Sequence, residues 1–170
     1  GVFFSQNLIR MFQHKHRVID KALMLITETQ NETIVEQVME LFNSLIRRLV
    51  ERIADKYGSS MLGGTTLALA WEVAEGRFVT YSIGDSEIMV SSAQTQSPWI
   101  VHDLDLTHPG SNQLTNVVNM RFQSATQEPK IISTKEGDTI ALYTDGVGDN
   151  LHPVLIQHIV RSQSPDVFLD

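Results

Sequence analysis

The sequence predicts an α+β layered domain: helices first, mostly antiparallel strands in the middle, and a helix near the end. Three observations carry that reading. Between Ile34 and Ile53 apolar residues recur at helical spacing, after Gly58 the spacing shortens to that of strands, and after His152-Pro153 a helical stretch returns.

In chain order, Phe4, Leu8, Ile9, Met11 and Phe12 form an apolar stripe, continued by Val18, Ala22, Leu23, Leu25 and Ile26. The stretch from Thr27 to Thr33 is polar and turn-like. Ile34, Val38, Leu41, Leu45, Leu49 and Ile53 then define one long amphipathic helix, widened by Val35, Met39, Phe42 and Ile46 and closed by a glycine cap at Tyr57-Gly58. Arg47, Arg48, Glu51 and Arg52 fall largely on its other side. Strands follow over Leu67 to Val73, Arg77 to Ile83, Glu87 to Val90 and Trp99 to Val101, with a hairpin turn at Ala74-Glu75-Gly76-Arg77. Thr107 to Gln113 reads as a loop around His108-Pro109-Gly110. Two more strands, Lys130 to Ser133 and Thr139 to Tyr143, precede a helix from Val154 to about Arg161, with Pro153 at a tolerated first-turn position.

The chain has 170 residues, enough for one domain with its own core. A net charge of −7 argues against nucleic acid or an anionic membrane as partner. Cysteine is absent, which removes thiolate nucleophiles, thiolate zinc sites and disulfides. With no signal-peptide or membrane-span pattern, the composition favours a cytoplasmic protein. Both ends look cut: the chain starts at Gly1 and stops at Asp170 as a helix is ending.

Two acidic turns carry the chemistry. Gly84-Asp85-Ser86 ends one apolar strand, Thr144-Asp145-Gly146 ends another, and Asp149 follows four residues on. Carboxylates at strand ends, beside glycines that let backbone come close, suit a hard cation such as Mg²⁺ or Mn²⁺. The bland reading of Asp85 and Asp145 is a turn carboxylate accepting from backbone N–H groups. Asp149 fits either a metal or the cap of the final helix, and the residues alone leave both open.

The order Gly63-Gly64-Thr65-Thr66-Leu67, Tyr81-Ser82-Ile83-Gly84-Asp85-Ser86, Gly137-Asp138 and Leu142-Tyr143-Thr144-Asp145-Gly146-Val147-Gly148-Asp149 resembles the metal-dependent Ser/Thr protein phosphatases of the PPM, or protein phosphatase 2C, type. Phe4-Ser5-Gln6-Asn7-Leu8 resembles the helix after that family's first metal motif. The resemblance implies a sandwich of two antiparallel β-sheets flanked by helices, with a metal cluster at one end. It implies a metal ligand at Asp145 in the turn shaped by Gly146, and an accessory metal held by Asp85 and Asp149. The implied activity is hydrolysis of phosphoserine or phosphothreonine in a phosphoprotein substrate by a metal-activated water, with Mg²⁺ or Mn²⁺ as cofactor.

The sequence departs from the family pattern in places. The amino-terminal D-G-x-G-G turn and the closing D-[DN]-x-[ST] turn are not in it, so the resemblance implies one phosphatase-like domain over residues 1–170, incomplete at both ends or degenerate. The degenerate alternative is a catalytically inactive domain acting as a binding or regulatory module. Glu87 stands where many members have Arg, and Gly148 replaces a usual large residue. Gly63-Gly64 is not a P-loop, because no Lys follows and a strand does. His102, Asp103, Asp105 and His108 match no common metal template. His14 and His16 are expected to face solvent, and Arg47, Arg48 and Arg52 to form a small basic face.

Overall fold

The structure is a computed structural model, and it describes residues 2–29, 32–58, 63–95, 97–102 and 117–162. Two long helices, α1 (Val2–Glu28) and α2 (Ile34–Tyr57), lead the chain. They are followed by β1 (Gly64–Thr65), β2 (Leu67–Ala74), β3 (Arg77–Ile83), β4 (Glu87–Ser91), β5 (Trp99–His102), β6 (Val118–Asn119), β7 (Lys130–Ser133) and β8 (Thr139–Tyr143). A single helical turn, α3 (Asp145–Gly148), and a final helix, α4 (Pro153–Ser162), complete the described elements. The expected loop at Thr107 to Gln113, and Asp103, Asp105 and His108 with it, lie outside the described residues. Among the described residues no helix is long and apolar enough to cross a membrane.

The strands form two three-stranded antiparallel sheets, ordered β2-β3-β7 and β5-β4-β8, plus a small β1-β6 ladder. The sheets pack face to face, with α1 and α2 on the outer face of the first and α4 against β8 of the second. This is the sandwich flanked by helices that the resemblance implied.

Strand alternation explains the two core layers. On β3, Val79, Tyr81 and Ile83 point toward the helices and join Phe4, Leu8, Phe42 and Ile46 in the larger core. Phe78 packs instead with Ile88, Val90, Val101 and Ile132 between the sheets. Full burial of such side chains is worth about 1.5–3 kcal/mol each, which makes this β3–helix layer the main source of stability.

Helical geometry narrows the stripes read from the sequence. On α2 the buried line runs through Val38, Phe42, Ile46, Val50 and Ile53. At a strict four-residue step Leu41, Leu45 and Leu49 fall to one side and are half-buried. On α1, Ile19 and Leu23 occupy the core, whereas Val18 and Leu25, taken into the expected stripe, are 62% and 58% exposed. Ile19 lies seven residues after Phe12 and four before Leu23, which keeps it in register with both.

Candidate functional site

The ladder between β4 and β8 fixes where the two acidic turns lie. Glu87, which opens β4, pairs with Tyr143, which closes β8. Asp85 stands two residues before the first and Asp145 two residues after the second, so both turns leave the same end of the same sheet. The shared location follows from register alone.

Buried hydrogen bonds hold the first turn from three sides. Gly84 has φ 91°, a left-handed conformation open to glycine at little cost. Its carbonyl accepts from Gln127 Nε2 at 3.3 Å. Gln127 Oε1 in turn lies 3.0 Å from His102 Nδ1, and His102 Nε2 lies 3.1 Å from Thr80 Oγ1. Ser82 Oγ donates to the Ser86 carbonyl at 2.9 Å, and the Ser86 and Thr66 hydroxyls are 2.7 Å apart. Thr80, Ser82, Ser86, His102 and Gln127 are all buried, so this polar layer between the sheets is satisfied by its own members. His102 therefore has both ring nitrogens engaged in holding the turn. Asp85 itself is half-buried.

The second turn is a single helical turn at the surface. Asp149 N–H donates to the Asp145 carbonyl at 2.7 Å, which stacks Asp149 beneath Asp145 on one face. Asp145, Gly146 and Asp149 are exposed. Asp145 Oδ1 accepts from the Gly146 N–H at 2.7 Å, and the Gly146 carbonyl accepts from Asn150 Nδ2 at 2.9 Å. Asp149 does not cap the last helix. That helix starts at Pro153, and its first turn is held by His152, whose Nδ1 accepts from the Val154 N–H at 3.3 Å.

Glu87 adds a carboxylate that the acidic-turn reading of the sequence left aside. It lies over Gly148, at the end of the turn that starts with Asp145. The signal was present as paired departures at positions 87 and 148, which only the β4–β8 register brings together.

A cleft of about 480 Å³ opens beside this end of the sandwich. Thr65 and Thr66, Ser86, and Thr144 line it, so each of the three motifs contributes to its wall, with Leu8, Phe12 and Gln13 of α1 opposite. Asp85, Asp145 and Asp149, whose carboxylate oxygens would suit a hard divalent cation, are not among its lining residues. The fit is partial: among the described residues, no three of His, Asp and Glu stand close enough to hold a metal by themselves.

The comparisons with known proteins agree with this fold. The family profile described as protein phosphatase 2C matches residues 8–164. The chain belongs to the protein phosphatase 2C family. Among solved structures, the phosphatase 2C domain resembles the one titled "PppA, a key regulatory component of T6SS in Pseudomonas aeruginosa", with a TM-score of 0.60 at 16% identity. That match covers 77% of this phosphatase 2C chain and 59% of PppA, and at this identity the likeness concerns the fold. Nothing among curated proteins matches the chain. Membership supports a phosphatase-type function for this domain.

Proposed function

We propose that the protein hydrolyses phosphoserine or phosphothreonine in phosphoprotein substrates, using Mg²⁺ or Mn²⁺. The observation that supports this reading best is the convergence of the three motifs on one cleft, with Asp85 and Asp145 at the same end of one sheet. In the proposal Asp145 and Asp85, with Asp149 on the same turn as Asp145, supply carboxylate oxygens to the cation, and Glu87 adds negative charge beside them. The metal, when bound, would lower the pKa of a coordinated water and offset charge on the phosphoryl group. The polar layer around Gly84 keeps Asp85 in position, and the cleft lined by Thr65, Thr66, Ser86 and Thr144 would receive the substrate. The test is hydrolysis of p-nitrophenyl phosphate and of a phosphothreonine peptide, with and without Mn²⁺. The reading requires Mn²⁺-dependent turnover that Asp145→Asn removes while the circular dichroism spectrum is unchanged. Retained turnover in that variant would rule the role out.

One observation favours a second reading, a phosphatase-like domain that binds rather than hydrolyses. Asp145 satisfies its own turn through the Gly146 N–H, as a structural turn carboxylate does. A chain that binds a phosphopeptide yet shows no turnover at any Mn²⁺ concentration would select this reading.

A further inference from the structure

A second concavity, of about 380 Å³, runs between α1 and α2, and its composition is unlike that of the chain as a whole. Arg10 and Lys15 of α1 and Arg48, Arg52 and Lys56 of α2 line it, five of the 13 Lys and Arg residues in a chain of net charge −7. No Asp or Glu lines it. Its apolar floor is made by Met11, Leu45, Leu49 and Ile53.

Both helices contribute with the same step. Positions 7, 10, 11, 14, 15 and 18 of α1 face positions 45, 48, 49, 52, 53 and 56 of α2, each series spaced 3, 1, 3, 1 and 3. Such a series covers one face over about three turns, a groove roughly 16 Å long at 1.5 Å per residue. Among the described residues the five cations are in no ion pair; Arg47, their neighbour, is neutralised by Glu40 at 2.5 Å. Leu45 and Leu49 are half-buried because they pack against the core from one side and line this groove from the other, and Val18 and Tyr57 at its margin are 62% and 50% exposed. Like charges gathered over apolar surface repel one another, and an anionic occupant relieves that repulsion.

We infer that this groove docks an acidic amphipathic segment of a partner protein, its apolar residues on the leucine and isoleucine floor and its carboxylates against the arginine and lysine walls. The concave shape and narrow floor fit one segment of chain better than a flat membrane, and the net negative charge of the protein disfavours nucleic acid. The groove shares α1 with the candidate site: Ser5, Leu8, Phe12 and Gln13 face the cleft, while Arg10, Met11 and Lys15 face the groove. A docked segment thus lies about one helix diameter, roughly 10 Å, from the cleft. The inference stands on the groove alone and holds whether or not the domain is catalytic.

The test uses the intact chain and a fluorescein-labelled peptide of about 11 residues, matched to the groove length, with leucines at helical spacing and glutamates elsewhere. Anisotropy is expected to show saturable binding that weakens as salt is raised. Arg48→Glu with Arg52→Glu, and separately Arg10→Glu with Lys15→Glu, are each expected to weaken it by at least about tenfold. A peptide with lysines in place of the glutamates should not bind. The p-nitrophenyl phosphate activity of both double variants should stay at the parent level, since neither pair lies in the candidate site. Absent binding, parent-level affinity in either double variant, or capture by phosphatidylserine vesicles or single-stranded DNA without capture of the peptide would each overturn the inference.

Discussion

Glu87 rests its carboxylate in the space a side chain at position 148 would fill: a Cβ on Gly148 would stand 2.6 Å from Glu87 Oε1. The glycine and the glutamate are complementary across the end of the β4–β8 ladder. Gly148→Ala gains helix propensity of up to ~1 kcal/mol but must push Glu87 aside. We expect the same substitution to be more favourable by about 0.5 kcal/mol or more in a Glu87→Ala background, a coupling that contacting residues show. Urea denaturation of the four proteins in the cycle measures it, and strictly additive values would deny the contact.

Asn43 is a buried polar residue on the core face of α2, 3% exposed. Its Oδ1 accepts from Tyr81 Oη at 2.6 Å and from the Ala125 N–H at 2.9 Å, tying the helix to β3 and to the segment after β6. Asn43→Ala strands two buried donors and opens a small void. A loss of about 2–4 kcal/mol in urea denaturation is expected, against about 1 kcal/mol for Tyr81→Phe.

Burial raises the pKa of the Tyr81 hydroxyl above its ordinary value of 10.0. The native state then keeps its proton while the unfolded chain gives it up. This contribution to stability is full below pH 10 and is lost as pH rises beyond it. The difference in stability between parent and Tyr81→Phe should fall by at most about 1.4 kcal/mol per pH unit above pH ~10. A difference independent of pH between 9 and 11 would contradict this.

Asp138 joins two turns: its Oδ2 accepts from the Lys135 N–H at 2.9 Å and its Oδ1 from the Ala93 N–H at 3.1 Å. The Lys135 backbone bond, then that of Ala93, holds its pKa below 3.8. A depressed carboxylate stabilises the fold above its unfolded pKa and loses that contribution as pH falls through the folded value. The melting temperature of Asp138→Ala should lie below the parent at pH 7, and the gap should narrow as pH falls below the ordinary carboxylate value of 3.8. A gap that persists in acid would assign the effect to packing.

Strong periodicity made the fold legible. Arg77–Ile83, Lys130–Ser133 and Thr139–Tyr143 form the strands that their sequence predicts. Gly64–Thr65 and Val118–Asn119 are too short for any period to register, and they exist because each completes the other. Buried polar residues were the hardest to read. Asn43 interrupts an apolar stripe, and His102 looks like a ligand until its partners Thr80 and Gln127 arrive from β3 and the segment before β7. Asp149 had two local readings, and only the start of α4 at Pro153 removed one of them. The acidic turns were visible as strand ends, but their meeting at one end depends on Glu87 pairing with Tyr143, a non-local register that spacing does not encode.

The central claim is that Asp85 and Asp145 serve one divalent cation. Isothermal titration of Mn²⁺ into the parent, Asp85→Asn and Asp145→Asn tests it most directly. Each substitution should weaken the same binding event by at least about tenfold, ~1.4 kcal/mol, with the fold intact. Unchanged Mn²⁺ affinity in either variant would contradict the claim.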